Sequence, residues 1–243
     1  MNNYIENPKT KGSGILCAIP QTGTCPNGCK DCFFQSGRSY LEPLKDHLPN
    51  LPDINDVSFQ IIRVNDGNDS NVDYKTVVEA TSGYRHKFFN TAIPKLNHFK
   101  SPVVLTVNPG KMTDHSFYTV QDIPKNLMFV RFRSNTWNTK LRDECVKFYS
   151  EREVPVVLTF MAYFNDTSDM PLSHAKNYIF RKRTSNDYHA ITTDAWREVM
   201  GAYKDNKWVY SCGKIEGEDG DTHCARCGNC IREYFVTKSR MEM

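Results

Sequence analysis

Residues 154–161 read VPVVLTFM, and every position except Thr159 is apolar. A strand of a parallel sheet that is covered on both faces has this composition, whereas a half-exposed strand alternates between apolar and polar residues. Even when it is extended to Phe164, the apolar run is too short to span a bilayer as a helix. It therefore predicts a buried strand in an α/β fold.

Similar apolar runs recur before this one, and segments of helical or loop character separate them. The six predicted strands are residues 14–19, 57–63, 87–93, 103–108, 127–133 and 154–161. The three predicted helices are residues 74–84, 139–152 and 192–205. This alternation of strands and helices predicts the α/β class, as a partial (β/α)6 TIM-like barrel.

The chain has 243 residues, which suits one sizeable domain with a small addition. Residues 1–205 hold all the predicted strands and are assigned to the barrel core. Residues 206–243 are rich in Gly, Asp and Cys and poor in long apolar runs. They are predicted to form a small Cys-rich C-terminal appendage, which a bound metal or iron–sulfur cluster holds together.

The chain has nine cysteines, and their chemistry depends on the compartment in which the protein works. The first residues, MNNYIENPKTKGSG, lack the apolar segment of a signal peptide, so we expect a cytoplasmic protein. In a reducing cytoplasm, clustered cysteines indicate metal or redox chemistry rather than disulfides. Cys17 and Cys145 lie apart from the clusters and are expected to be small buried hydrophobes.

The first cluster is Cys25, Cys29 and Cys32, spaced C-x3-C-x2-C shortly after the first predicted strand. In a TIM-like barrel, the loops that follow the strands carry the catalytic groups. A 4Fe-4S cluster held by three thiolates has one iron without a protein ligand. That iron is free to bind a small molecule through oxygen and nitrogen.

This motif in this position resembles the radical S-adenosylmethionine (radical SAM) enzymes. The resemblance implies that SAM completes the coordination of the open iron. It also implies that the reduced cluster cleaves SAM to a 5′-deoxyadenosyl radical, which abstracts hydrogen from a substrate. A one-electron donor such as flavodoxin or ferredoxin is then required. The resemblance does not decide whether the substrate is a peptide, a nucleotide or a nucleic acid.

The resemblance further implies that polar residues after the strands hold SAM. The turn VNDGNDSN at 64–71 offers carboxylates and flexible backbone to an ammonium group, although a plain polar turn is the simpler interpretation. Arg133 can pair with the SAM carboxylate, or it can be an ordinary surface arginine. The candidates for SAM binding are Asp66, Gly67, Asn68, Asp69, Asn108, Arg133, Ser134 and Asn135.

The second cluster is Cys212, Cys224, Cys227 and Cys230. Four thiolates close a metal site, so no exchangeable position is expected there. The C-x2-C-x2-C run favours a second 4Fe-4S cluster, and zinc is the alternative. Auxiliary-cluster appendages of some radical SAM enzymes are similar to this segment.

A different class of function stays open on the same residues: a non-catalytic zinc-binding protein that binds nucleic acid or a protein partner. The run FRKR at 180–183 mixes basic and aromatic residues, as nucleic-acid surfaces do. An amphipathic edge strand with solvated charges is the simpler interpretation, and the net charge of +3 gives nucleic acid little support. Hydrolase and kinase motifs such as G-x-S-x-G and the P-loop are absent from the sequence.

Overall fold

A seven-stranded parallel sheet forms the centre of the computed structural model, which describes residues 4–29, 32–37, 39–57, 59–108, 119–164, 167–182, 187–213 and 224–243. The first six strands are β1 (Ile15–Ala18), β2 (Ile61–Val64), β3 (Lys87–Thr91), β4 (Val103–Val107), β5 (Leu127–Ser134) and β6 (Val156–Phe160). A hairpin of β7 (Tyr178–Arg181) and β8 (Tyr188–Ile191) precedes the last strand, β9 (Val209–Ser211).

The strands of the sheet lie in the order β1-β2-β3-β4-β5-β6-β9, and every neighbouring pair is parallel. The sheet curls into a half-barrel. All six predicted strands are therefore confirmed, together with the α/β class. Because the strands are parallel and adjacent in chain order, their carboxyl ends share one edge of the sheet, which we call the carboxyl edge.

The helices are α1 (Leu44–His47), α2 (Tyr74–Ala80), α3 (Thr139–Ser150), α4 (Thr193–Gly201), α5 (Cys224–Cys227) and α6 (Asn229–Glu242). Two 3-10 turns are Ile54–Asp56 and Leu172–Asn177. The three predicted helices are confirmed by α2, α3 and α4, each slightly shorter than expected. Within the part of the chain that the structure describes, no helix has the length and apolar character needed to cross a membrane. The cytoplasmic location stays a prediction.

Helices α2, α3 and α4 cover one face of the sheet, which we call the outer face. Alternate strand residues such as Val64 and Phe132 point to it and pack against Val77, Cys145 and Val199 from the three helices. Because Cys145 is fully buried in this core, burial raises the pKa of its thiol. Cys145 is thus confirmed as a small buried hydrophobe.

The opposite face of the sheet, which we call the inner face, is contacted by α6. Tyr234 of α6 is 1% exposed. It packs on inner-face residues of five strands: Ile61, Phe88, Val104, Phe129 and Val157. The chain beyond residue 205 therefore supplies both the seventh strand and the helix on the inner face. The predicted domain boundary at residue 205 stays a prediction.

Two segments differ from the sequence prediction. Strand β2 was predicted over 57–63 but spans Ile61–Val64, because Val57 follows a 3-10 turn and is buried in the core from there. The basic run at 180–183 was predicted as an edge strand, and β7 covers its first two residues; residues 183–186 lie outside the described chain. Phe180 is more than half exposed, and a nucleic-acid partner for this surface stays a prediction.

Candidate functional site at the carboxyl edge

The C-x3-C-x2-C motif lies in the loop that leaves the carboxyl end of β1. Strand β1 ends at Ala18, and the loop that follows has no helix or strand in its described residues. Its three cysteines, Cys25, Cys29 and Cys32, are partly exposed and free of disulfides. The structure therefore puts three thiols at the carboxyl edge, where the strands of an α/β sheet present functional groups.

The turn at residues 65–71, which follows β2, is bonded to this cysteine loop. The side-chain amide of Asn27 donates to Asp69 Oδ2 at 3.0 Å. From the turn, Asn68 Nδ2 donates to the carbonyl of Gly23 at 2.8 Å. Both contacts join residues more than forty positions apart, so they fix the loop against the turn. Two of the predicted site segments are thus brought together.

A close contact between a glycine and an aromatic ring also joins the turn to the cysteine loop. Phe34 is 1% exposed and packs with Ile19, Leu41 and Leu44. A Cβ atom at Gly67 would lie only 2.2 Å from the nearest carbon of the Phe34 ring. The backbone of the turn can approach the ring this closely because Gly67 has no side chain.

Asp69 is a buried carboxylate that four donors from the chain engage. Its Oδ1 accepts from Thr91 Oγ1 at 2.7 Å and from the backbone N–H of Asn71 at 2.9 Å. Its Oδ2 accepts from the backbone N–H of Ala92 at 2.7 Å, in addition to the amide of Asn27. Asp69 thus ties β3, the turn and the cysteine loop together. Its predicted contact with SAM stays a prediction.

Asp66 is the second buried carboxylate of the turn, and it faces different partners. Its Oδ2 accepts from Asn7 Nδ2 at 2.7 Å, and its Oδ1 accepts from the Tyr40 hydroxyl at 3.5 Å. Burial raises the pKa of Tyr40, and the charge of Asp66 raises it further. The same two causes raise the pKa of Cys17, which confirms Cys17 as a buried thiol.

Asn108, at the end of β4, has unused hydrogen-bonding capacity. The residue is 3% exposed, and within the described residues neither its amide oxygen nor its amide nitrogen has a partner. An unpaired buried amide is unfavourable, and such groups are rare unless water or a ligand satisfies them. A bound molecule at the carboxyl edge would supply both a donor and an acceptor to Asn108.

The three predicted residues at the end of β5 divide between the two faces of the sheet. Ser134 is fully buried on the outer face and accepts from Arg142 Nη1 at 3.2 Å. Asn135 Oδ1 accepts from the backbone N–H groups of Trp137 and Asn138 at the start of α3. Arg133 is partly exposed and, by strand alternation, lies on the inner face. Their contacts with SAM stay predictions.

The Cys25 thiol of the first cluster lies partly buried near a carboxylate and the two other thiols of the motif. Burial raises the pKa of Cys25 to about 11, a backbone N–H of Asn27 lowers it in part, and Asp69, Cys29 and Cys32 raise it. Thiolates are the form that binds metal, so a bound metal must displace this proton. Over the described ranges, no three His, Cys, Asp or Glu side chains are already close enough together to hold a metal ion.

The second cluster draws on three elements. Cys212 follows β9, Cys224 and Cys227 lie in α5, and Cys230 lies in α6. The backbone N–H of Gly213 donates to Cys227 Sγ at 3.4 Å. Backbone N–H groups that bond to thiolate sulfur are a usual feature of metal–thiolate sites.

Glycines in the left-handed region follow two of these cysteines. Gly213 has φ 77° and Gly228 has φ 65°, and they come directly after Cys212 and Cys227. They allow the chain to turn tightly around each sulfur. The identity of a metal at this second site stays a prediction.

An N-terminal segment, residues 4–13, contacts the turn after β2 and one cysteine of the second cluster. Its Asn7 bonds to Asp66, next to the first cluster, and its Lys9 carbonyl accepts from the backbone N–H of Cys224 at 3.1 Å. The sequence contains no local signal for this role, because each contact joins distant parts of the chain. Only the fold shows it.

Two arginines on the inner face were also missed in the sequence. Arg63 of β2 and Arg131 of β5 occupy positions two residues after Ile61 and Phe129, so they share the inner face with them. Arg131 Nη1 donates to Asn90 Oδ1 at 3.0 Å. A signal for them does exist: each is a cation within a predicted strand, Arg63 at the end of 57–63 and Arg131 in 127–133, which also holds Arg133.

Comparison with known proteins adds no family to this description. No protein-family model, curated protein or solved structure matches the chain. A function must therefore be inferred from the residues at the carboxyl edge and from the contacts that hold them.

Proposed function

We propose that the protein is a radical SAM enzyme built on a partial (β/α)6 TIM-like barrel. The observation that supports this most is the placement of the C-x3-C-x2-C loop. It leaves β1 at the carboxyl edge of a parallel half-barrel and is hydrogen-bonded to the turn after β2. A structural zinc site alone gives no reason for this placement at the edge where α/β enzymes bind their ligands.

The donor set fits the group that the proposal requires. Cys25, Cys29 and Cys32 offer three soft thiolates, which suit iron in a 4Fe-4S cluster and leave one iron for SAM. When bound, the cluster would supply the electron that cleaves SAM to methionine and a 5′-deoxyadenosyl radical. The amide of Asn108 also fits, because it has no partner among the described residues and a polar ligand at the same edge would satisfy it.

The chain's own residues have separate tasks in this proposal. Asp69 and Asn27 hold the cysteine loop in place through their hydrogen bond. Asn108 donates to and accepts from polar atoms of the bound cosubstrate, and Arg133 offers a positive charge to its carboxylate.

The remaining components follow from the same proposal. Cys212, Cys224, Cys227 and Cys230 would hold a second 4Fe-4S cluster, with zinc as the alternative occupant. A one-electron donor such as flavodoxin or ferredoxin would reduce the first cluster. The substrate class, whether peptide, nucleotide or nucleic acid, is left open, because one fold hosts many reactions.

The test is anaerobic reconstitution followed by reductive SAM cleavage. Wild-type protein given iron, sulfide, SAM and dithionite is expected to be brown and to form 5′-deoxyadenosine and methionine. Replacing Cys25, Cys29 and Cys32 with serine is expected to abolish this product. Cys145→Ala is the control, because Cys145 lies in the outer-face core and belongs to neither cysteine cluster, and this variant is expected to leave SAM cleavage intact.

A different outcome would refute the proposal. Protein that stays colourless, binds zinc at both clusters and forms no 5′-deoxyadenosine would refute the proposal. It would support the non-catalytic zinc-binding protein with a nucleic-acid or protein partner.

A further inference from the structure

The two inner-face arginines lie deep in the molecule yet keep some accessible surface. Arg63 and Arg131 are partly exposed, and burial works against the charged form of both. Burial lowers the pKa of Arg131, whereas the charges of Cys17 and Asp66 outweigh burial at Arg63 and raise its pKa. Both side chains lie on the inner face of the sheet, which α6 also contacts around Tyr234.

The hydrogen bonds of these arginines leave much of their charge unmatched. Arg131 bonds to the neutral amide oxygen of Asn90, and within the described residues the Nε of Arg63 has no partner. In the same part of the chain, neither arginine forms an ion pair with a carboxylate. Asp66 is a charge neighbour of Arg63 and offsets part of its charge. Among the described residues, one carboxylate is a charge neighbour of this pair, so a further negative centre beside the two cations would be stabilised.

Cysteines of the second cluster share the inner face with this pair. Cys212 and Cys230 pack against the inner-face cluster around Tyr234. Cys224 and Cys230 are electrostatic neighbours of both Arg63 and Arg131. Burial lowers the pKa of Arg131 and the charge of Arg63 lowers it further, whereas negative charge on Cys230, Cys212 and Cys224 raises it.

Metal binding would change this balance. Four thiolates around one divalent ion, or around an oxidised 4Fe-4S core, carry a net negative charge. A buried negative centre is costly unless cations or hydrogen-bond donors face it. Arg63 and Arg131 provide both, and the free Nε–H of Arg63 is available to a thiolate sulfur.

We propose that Arg63 and Arg131 are the buried counter-charge of a metal centre held by Cys212, Cys224, Cys227 and Cys230. The centre then lies on the inner side of the half-barrel, facing the sheet. This inference rests on the second metal site of the proposed function but not on SAM cleavage. Both arginines are positioning residues, because they act on the metal through its thiolates.

The experiment measures zinc affinity in protein that keeps only the second cluster. Cys25, Cys29 and Cys32 are replaced with serine, and Zn²⁺ is then partitioned anaerobically between the protein and a chromophoric chelator. In this background, Arg131→Met is expected to weaken Zn²⁺ binding by roughly tenfold to a hundredfold, as loss of an outer partner of a metal ligand does. Arg63→Met carries the same expectation, so the test does not depend on the folding of one variant.

Two matched variants separate charge from structure. Arg142→Met removes another buried arginine, but one on the outer face that bonds to Ser134 and Tyr203, and it is expected to bind Zn²⁺ as the parent does. Arg131→Lys keeps the positive charge and is expected to bind Zn²⁺ more tightly than Arg131→Met. A merely structural arginine would show neither pattern.

The stability of the metal-free protein is a second measurement. It is not expected to fall in the variant that binds zinc more weakly. Removing an uncompensated buried cation is neutral or stabilising, so metal-free Arg131→Met is expected to unfold at the same urea concentration as its parent or a higher one. The inference is overturned if Arg131→Met and Arg63→Met bind Zn²⁺ as tightly as the parent. It is also overturned if Arg142→Met loses the metal equally. Because the background lacks the first cluster, these results are independent of whether the protein cleaves SAM.

Discussion

The contact between Gly67 and Phe34 makes Gly67→Ala the most direct test of how the cysteine loop is held. The new methyl carbon would meet three atoms of the Phe34 ring, at 2.2, 2.5 and 2.8 Å. All three distances are well below ordinary carbon–carbon contact, at roughly 3.5–4.0 Å. The ring, the turn or both must move.

The size of the effect follows from how firmly the ring is held. Phe34 is 1% exposed and packs in a cluster with Ile19, Leu41 and Leu44, so it has no solvent-side space to enter. Overpacking of this kind costs about 1–3 kcal/mol. The upper limit is about 3–5 kcal/mol, the cost of losing the packing of a buried phenylalanine altogether.

The assay is urea unfolding of the metal-free protein, with iron uptake as a second measurement. We expect Gly67→Ala to lower the free energy of unfolding by about 1–3 kcal/mol and to reduce iron uptake at the first cluster, since Phe34 follows Cys32 by two residues. Gly23→Ala is the control in the same loop, because its added Cβ meets nothing within 4 Å. It is expected to change the free energy by less than about 0.5 kcal/mol.

A double variant decides whether the ring is the cause. Phe34→Leu removes the ring atoms that the new methyl group would strike, so Phe34→Leu with Gly67→Ala is expected to cost less than the sum of the single changes, by about 0.5–3 kcal/mol. Additive costs, or an unchanged free energy of unfolding in Gly67→Ala alone, would refute the reasoning.

Three further predictions concern single buried groups. Asp69→Asn is expected to lower the free energy of unfolding by about 1.5–3 kcal/mol in urea, because one carboxylate oxygen that now accepts two hydrogen bonds becomes a donor facing donors; unchanged stability would contradict this. Asn108→Ala is expected to keep wild-type stability but to bind SAM about tenfold more weakly by calorimetry on reconstituted protein, and unchanged SAM affinity would oppose its role. Cys145 has a folded-state pKa above its unfolded value, so its contribution to stability is present below about pH 8.5 and is lost as the pH rises above it, by up to about 1.4 kcal/mol per pH unit. Cys145→Ala is expected to flatten the alkaline end of the stability profile, measured by urea unfolding across pH, and an equally steep profile would contradict the burial argument.

The sheet could be predicted from the sequence because its strands carry their signal locally. Each of the six predicted strands is a near-continuous apolar run, and burial on both faces of a parallel sheet requires that composition. Strand β9 was missed because Val209–Ser211 is too short to show any periodicity. Its assignment depends on pairing with β6, which is a property of the folded chain.

The candidate site, too, could be predicted from the sequence only in part. The cysteine spacings are local patterns and could be seen in the sequence. The contacts that give Asp69 and Asp66 their partners join residues between 2 and 59 positions apart, and the sequence gives no measure of those distances. Strand alternation decides that Ser134 and Arg133 face opposite sides of the sheet, so one short polar run after β5 cannot serve one ligand as a unit.

The N-terminal segment at residues 4–13 links the turn after β2 to the start of α5, because Asn7 donates to Asp66 and the Lys9 carbonyl accepts from the backbone N–H of Cys224. A substitution that moves the backbone at Asn7 or Lys9 would therefore disturb contacts at two places that are far apart in sequence.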